Sequence, residues 1–501
     1  MSKIFYRSFY GMIFWMFFLD TKLKTDKIAK DKIIKYTALL LFGILTFCLM
    51  LKRVPFWDEA HAWLIAKNLN FFELFQIEKY DGHLFIWHSL LMPFAHNNLM
   101  YPYPMYFLNW LFCMAALIIL WNRAPFSNLT KFLITFSCPF FWYYAMVARC
   151  YSLSVFSLFL ILAFYKQRLQ KPVLFASLLV FAANTSVMAI LGAFSIGLIF
   201  IKDLLVKKDK SFKNFYPFLI MGFGAILVLT QLLGAHFPEK ITPLIFLYWL
   251  TVYFFFASRS EVLFLKIINI SMALLTLGLY VLFLVNYAKN KRALSFFIVV
   301  NLLLFLFFFF GYSGLWWHFL FFYIYFIFAL WIAKEEKIES GNHYIKTLFS
   351  YFLILFLVLF LSKTLLFKLD KWSVAYDSPA LTVVQELKRH NITSENSKIY
   401  TPDDLLYHTL VFVPYFKNMK IYDTNGIEKY SLQGLKDDRI NYKIPVNTAK
   451  LIESLDKNKT NYMVTSNEHI FFSKSKYNFR LKILSQSTKP YYAIFQIINE
   501  N

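Results

Sequence analysis

The sequence predicts an all-α polytopic membrane domain followed by a small α/β domain. Two observations carry this. Of the 501 residues, 59% are hydrophobic and 21% aromatic, more apolar surface than one soluble core can hide. The apolar residues fall in runs of roughly 17–22, the length that crosses the hydrocarbon layer as a helix. These runs are rich in Leu, Ile and Phe and do not alternate, so they read as helices and not barrel strands.

Residues 4–19 are apolar and aromatic but contain Arg7. They read as an interfacial helix, because the basic stretch Lys22 to Lys35 follows the run and no small-residue cleavage site is visible. The first clear span is 36–51. Later runs lie near 104–121, 131–146, 151–165, 173–186, 187–201, 214–234, 261–287, 294–310, 318–333 and 345–361, giving about eleven spans. Segment 52–103 is too long for a connector, and its stretches 60–75 and 84–95 read as helices in the interface. After 362 the composition becomes that of a soluble domain. There Ser397–Thr401 and Tyr462–Thr465 read as strands. Ala380–His390 and Asp403–Leu410 read as helices, the second capped at Thr401-Pro402-Asp403. The organisation is thus 1–35, an interfacial and cytoplasmic segment; 36–362, the membrane domain; and 363–501, the soluble domain.

The formal charge of +23 reflects topology, not nucleic-acid binding, since no basic patch accompanies a readout element. If Lys22–Lys35 is cytoplasmic, every alternate loop is basic: Arg123 and Lys131, Lys166 to Lys171, Lys202 to Lys213, Lys289 to Arg292, Lys334 to Lys346. Segments 52–103, 147–150, 235–260 and 311–317 and the tail then lie outside, with the chain multi-pass in the cytoplasmic membrane. A reporter fused after Lys363 should be active only outside the cytoplasm, and one near Lys208 only inside. Both on one side would break this arrangement. Cys48, Cys113, Cys138 and Cys150 lie in or beside apolar runs without CxxC spacing and read as packing residues.

Chemistry-bearing residues collect on the expected outer side. Asp58 and Glu59 follow the first span. Carboxylates at a bilayer surface are functional or well solvated: one could act as general base or bind a metal, or both could simply suit a helix N-terminus. His83 and His88 are five residues apart, poor spacing for a metal pair. Arg149 lies between two spans on the basic-poor side, so it needs an anion. That anion is either a lipid phosphate or one of Asp58 and Glu59. His61, His83, His88, His96, His236 and His318 all fall on the same outer side, which points to a polar cavity there.

Together these residues resemble the GT-C superfamily of multi-pass glycosyltransferases, which includes protein O-mannosyltransferases and lipid A aminoarabinose transferases. Trp57-Asp58-Glu59-Ala60 looks like the superfamily's acidic opening. Asp81-Gly82-His83-Leu84 looks like its Glu-Gly-His-Pro or His-Pro-Pro-Leu element, and Ala148-Arg149-Cys150-Tyr151-Ser152-Leu153 like its Ala-Arg-x-Tyr-Ala-Leu element. An uncharacterised bacterial subgroup is nearest, sharing Arg123-Ala124-Pro125-Phe126 and the Asp-Glu-Ala-x-Ala-Trp run at 58–63. The resemblance covers roughly 35–340. Three departures stand out: Met146 and Val147 replace a Gln-Glu pair, Leu84 replaces a proline, and Trp316-Trp317-His318-Phe319 stands where relatives have an Arg-His-His-Gly-like element.

The resemblance implies inverting transfer of a sugar from a polyprenyl-phosphate-linked donor to a glycan, lipid or protein acceptor outside the cytoplasm. Asp58 would be the base, with Glu59 the alternative base or a ligand for a divalent metal such as Mg or Mn. Arg149 would bind the donor phosphate, aided by His83 or His318, and the tail would position the acceptor. Two other classes remain: a non-catalytic envelope-assembly protein, favoured by the missing second carboxylate, and a transporter or flippase of lipid-linked sugars. The flippase would need inverted repeats and broken mid-membrane spans, and no such symmetry is visible.

Overall fold

The computed structural model describes residues 27–81, 83–97, 99–207, 215–233, 263–311, 316–366, 380–393, 395–401, 410–416, 418–423, 425–431, 448–465, 479–488 and 491–499. The expected interfacial helix 4–19, the basic stretch 208–213, the outer segment 235–260 with His236, and most of the expected helix 403–410 lie outside them.

Among the described residues seven helices are long and apolar enough to cross a membrane. They are α1 (Lys27–Met50), α5 (Tyr103–Arg123), α7 (Cys150–Phe164, extended by a 3-10 turn Tyr165–Gln167), α9 (Val187–Val206), α12 (Lys291–Leu306), α13 (Trp316–Glu336) and α14 (His343–Leu366). Shorter apolar stretches lie in α8 (Pro172–Ala183), α10 (Tyr216–Leu232) and α11 (Leu263–Asn286). This is a multi-pass helical membrane protein. The long segment after the first span forms α2 (Trp57–Asn68), α3 (Phe71–Asp81) and α4 (Phe85–His96), close to the stretches read as interfacial helices.

Helix α13 is the hub. Every residue from 317 to 333 is buried, the pattern of a helix enclosed by protein on all sides. Its rings meet neighbours in turn: Phe319 stacks on Phe308 with centroids 4.3 Å apart, Phe328 on Phe296 of α12 at 4.5 Å, and Tyr323 on Phe360 of α14 at 4.7 Å. Against α9 the fit depends on a glycine. Gly192 donates its N–H to the Tyr325 hydroxyl at 3.0 Å, and a Cβ there would stand 2.5 Å from the Tyr325 ring.

The run read from sequence as a span over 131–146 is not one continuous helix but a short helix followed by an irregular stretch. Helix α6 covers only Asn128–Thr135, capped by Ser127, whose hydroxyl accepts from Thr130 N–H at 3.2 Å. A π turn, Pro139–Tyr144, follows. Pro139 has no N–H to continue the ladder, and Ser137 donates its hydroxyl to the Ile134 carbonyl at 2.7 Å. The carbonyls freed downstream are met by Asn109 of α5, whose amide donates to Tyr144 O at 2.9 Å and Ala145 O at 3.2 Å. Residues 132–155 are buried throughout, the condition under which irregular backbone is tolerated at membrane depth.

At one end of the bundle, the ends of four helices are tied by charge. Asp203 at the end of α9 accepts from Arg168 Nε and from Arg292 Nη2, each at 2.8 Å. Arg292 also meets Glu336 of α13 at 3.2 Å, and the Tyr165 hydroxyl donates to Glu336 at 2.7 Å. The candidate site lies at the opposite end.

The C-terminal domain contains a five-stranded mixed sheet of order β2-β1-β3-β5-β4. Its strands are β1 (Ser397–Tyr400), β2 (Ile421–Tyr422), β3 (Thr460–Thr465), β4 (Phe479–Thr488) and β5 (Tyr491–Asn499). β1 runs parallel to both β2 and β3, while β5 is antiparallel to β3 and β4. Alternation along the strands separates two buried faces. Ile399, Ile421, Val464 and Ile494 join the core that continues into the membrane domain; Tyr400, Met463 and Ile497 pack with Leu451 of α16 (Thr448–Ser454). Helix α15 (Ala380–Arg389) and strands β1 and β3 lie where the sequence reading expects them.

Candidate functional site

The site assembles where α1 ends and α2, α5, α7 and α13 begin. Five residues past α1 the chain turns at Pro55 and Phe56 and enters α2, with Asp58 and Glu59 in its first turn. Acidic residues suit this helix start electrostatically, but the two carboxylates face different partners.

Glu59 is fully buried. Its Oε2 accepts from Arg53 Nη1 at 2.8 Å and from Phe56 N–H at 2.6 Å. Its Oε1 accepts from Arg53 Nη2 and from the Ala148 backbone N–H. One carboxylate therefore joins the end of α1, the start of α2 and the turn before α7. Arg53 lies over the Tyr106 ring at 4.3 Å. Burial alone would favour the neutral guanidine, but Glu59 outweighs it and raises the Arg53 pKa.

Asp58 faces Arg149. Arg149 Nη1 stands 3.3 Å from Asp58 Oδ1 and donates to the Asp58 carbonyl at 2.6 Å. The side chains are 12% and 6% exposed, so Asp58 is the more accessible partner. Of the two anions the sequence offered Arg149, a protein carboxylate is thus engaged. The other edge of the guanidinium, Nη2, meets His83 Nε2. A guanidinium can only donate, so His83 Nε2 accepts. The neutral imidazole then carries its proton on Nδ1, which faces Cys150 Sγ at 3.5 Å. His83 is carried here by the segment between α3 and α4, which bridges to Ser186 at the α8–α9 turn. Gln231 of α10 anchors the same segment, accepting from Phe85 N–H at 3.0 Å.

His318, at the start of α13, sits one step away. Its Nε2 is 2.7 Å from the Tyr151 hydroxyl, and the Tyr151 ring lies 6.1 Å from that of His83. Asp58, Arg149 and His83 are therefore brought together directly, and His318 joins through Tyr151. Glu59 is turned away from them. His88 is buried within α4, and His96 hydrogen-bonds the Leu69 carbonyl at 3.2 Å.

The carboxylate pair does not fit a divalent cation. Each carboxylate faces a guanidinium, and both Glu59 oxygens already accept N–H donors. Among the described residues, no group of three His, Cys, Asp or Glu side chains converges on a point. The sequence reading does not single out Arg53, takes Cys150 as a packing residue, and includes Tyr151 only as part of the Ala148–Leu153 element; all three touch the site. Arg53 had a usable signal: like Arg149, it is an arginine on the basic-poor side.

Compared with known proteins, the chain matches no family model, no curated protein and no solved structure.

Proposed function

We propose that the protein is a GT-C-like glycosyltransferase that moves a sugar from a polyprenyl-phosphate-linked donor to an envelope acceptor on the outer face of the cytoplasmic membrane. The observation that carries this reading is the Asp58–Arg149–His83 cluster at one end of a bundle of membrane helices. A lipid-linked phosphate keeps its tail in the bilayer and offers its charge at such an end. In the proposed reaction an acceptor hydroxyl attacks the anomeric carbon and Asp58 takes its proton. The bond from that carbon to the phosphate oxygen breaks, and the electron pair leaves with the lipid phosphate. Arg149, held by His83, turns from Asp58 to the phosphate as its charge grows. In this reading about eleven spans are counted by adding the three shorter apolar helices and the broken stretch 128–144 to the seven long helices.

A second reading is a non-catalytic envelope-assembly protein. The closed Asp58–Arg149 pair favours it, since a paired arginine has no need of a ligand.

Arg149→Ala separates the two. With undecaprenyl phosphate as probe, the transferase reading expects binding to weaken by about 10–100-fold, the loss of charge-assisted hydrogen bonds. Arg149→Lys should restore only part, because an ammonium cannot make the planar two-pronged contact. Unchanged binding in a well-folded Arg149→Ala protein would remove Arg149 from the donor site.

A further inference from the structure

The C-terminal domain is seated on α2, the helix that carries Asp58. A 3-10 turn, Leu410–Tyr415, packs along α2, and Lys67 donates to the Phe416 carbonyl at 3.1 Å. The Tyr415 ring meets Tyr101 edge-on at 5.1 Å. Phe412, Val413 and Tyr430 belong to the same buried cluster as Trp63 and Tyr101. A second polar contact joins the two: the Tyr430 hydroxyl stands 3.1 Å from His61 Nδ1.

The position of that contact matters. His61 follows Asp58 by three residues on α2, so the two side chains are neighbours on one helix face. Trp57 and His61 on this helix are half-buried, while Tyr430 is buried to 5% exposure. A base works only on a hydroxyl held within hydrogen-bond reach, and small misplacements cost large factors in rate. The His61 imidazole, a neighbour of Asp58 on this face, and the Tyr430 phenol it meets bring polar groups that suit a polyhydroxylated ligand.

We propose that the His61–Tyr430 pair is the acceptor-side positioning element of the Asp58 site, through which the C-terminal domain sets where a polyhydroxylated acceptor stands against the base. This rests on the transferase reading above. Neither residue moves the proton or touches the donor phosphate; the pair fixes the acceptor's distance from Asp58.

The test follows how the full-length protein divides donor between acceptor and water. The probe is a panel of radiolabelled undecaprenyl-phosphate hexoses and pentoses, with membrane vesicles from the expressing cells as the source of acceptor. In Tyr430→Phe, transfer to vesicle material should fall about 10–100-fold, while Asp58-dependent hydrolysis of the same donor to free sugar stays within about twofold. His61→Gln keeps a hydrogen-bonding partner for Tyr430 and should retain more transfer than His61→Ala. Limited proteolysis should cut the tail of each variant no faster than that of the parent. If transfer and hydrolysis fall in parallel, or the tail is released to protease, the pair is structural and the proposal fails. An unchanged ratio of transfer to hydrolysis also overturns it. A parent with no Asp58-dependent product overturns the transferase reading and this proposal together, whereas an active parent with unaffected variants overturns this proposal alone.

Discussion

Glu59→Ala should cut the yield of folded protein in detergent more than any other change at the site. The carboxylate is fully buried and accepts from Arg53, Phe56 N–H and Ala148 N–H. Its removal leaves a guanidinium uncompensated in the interior, a loss of about 3–5 kcal/mol. A typical domain has only about 5–15 kcal/mol in all. Glu59→Gln keeps one acceptor oxygen but points an amide N–H₂ at existing donors, so it should fall between parent and alanine variant. Size-exclusion profiles and thermal melting in detergent read this directly. A Glu59→Ala protein that melts like the parent but turns over no donor would make Glu59 the chemical group and reverse the roles of the pair.

Asp58→Asn should behave in the opposite way. Its oxygen can still accept from Arg149, and the Asp58 backbone carbonyl still receives the 2.6 Å bond from Arg149 Nη1, so folded yield should stay near that of the parent. An amide cannot take a proton, and transfer should drop by about 10²–10⁴-fold, the range for losing general-base catalysis. Rates of sugar transfer in reconstituted bilayers check this. Transfer within a factor of about two of the parent would take the base role from Asp58, since general-base catalysis is worth far more than that.

The sequence made the membrane domain legible because lipid demands long apolar helices, and the runs stand out against basic loops. The stretch 131–146 misled for a physical reason. Its residues are apolar enough to span, but Pro139 and the hydroxyl of Ser137 break the ladder, and the compensation comes from Asn109, far away in sequence. The sequence reading named β1 and β3 but not β4, although Phe479, Leu481 and Ile483 alternate there with Arg480 and Lys482. At the site, the sequence singled out Asp58, Glu59, Arg149 and His83; the structure brings Asp58, Arg149 and His83 together and turns Glu59 toward Arg53. The sequence left the partner of Arg149 open, because sequence neighbours can face opposite ways: Asp58 meets Arg149, while Glu59 meets Arg53. The contact of His61 with Tyr430 joins residues 369 positions apart and had no signal in sequence spacing.

If Asp58 and Arg149 serve sugar transfer from a polyprenyl phosphate, as proposed, the donor should build up when the protein is missing. The most direct test profiles polyprenyl-phosphate-linked sugars in a deletion strain carrying either the parent protein or Asp58→Asn at matched expression. One such lipid-linked sugar should accumulate in the deletion strain, fall to its ordinary level with the parent, and stay high with Asp58→Asn. A lipid-linked sugar profile that is the same with and without the protein, or that Asp58→Asn corrects as fully as the parent, would contradict this role.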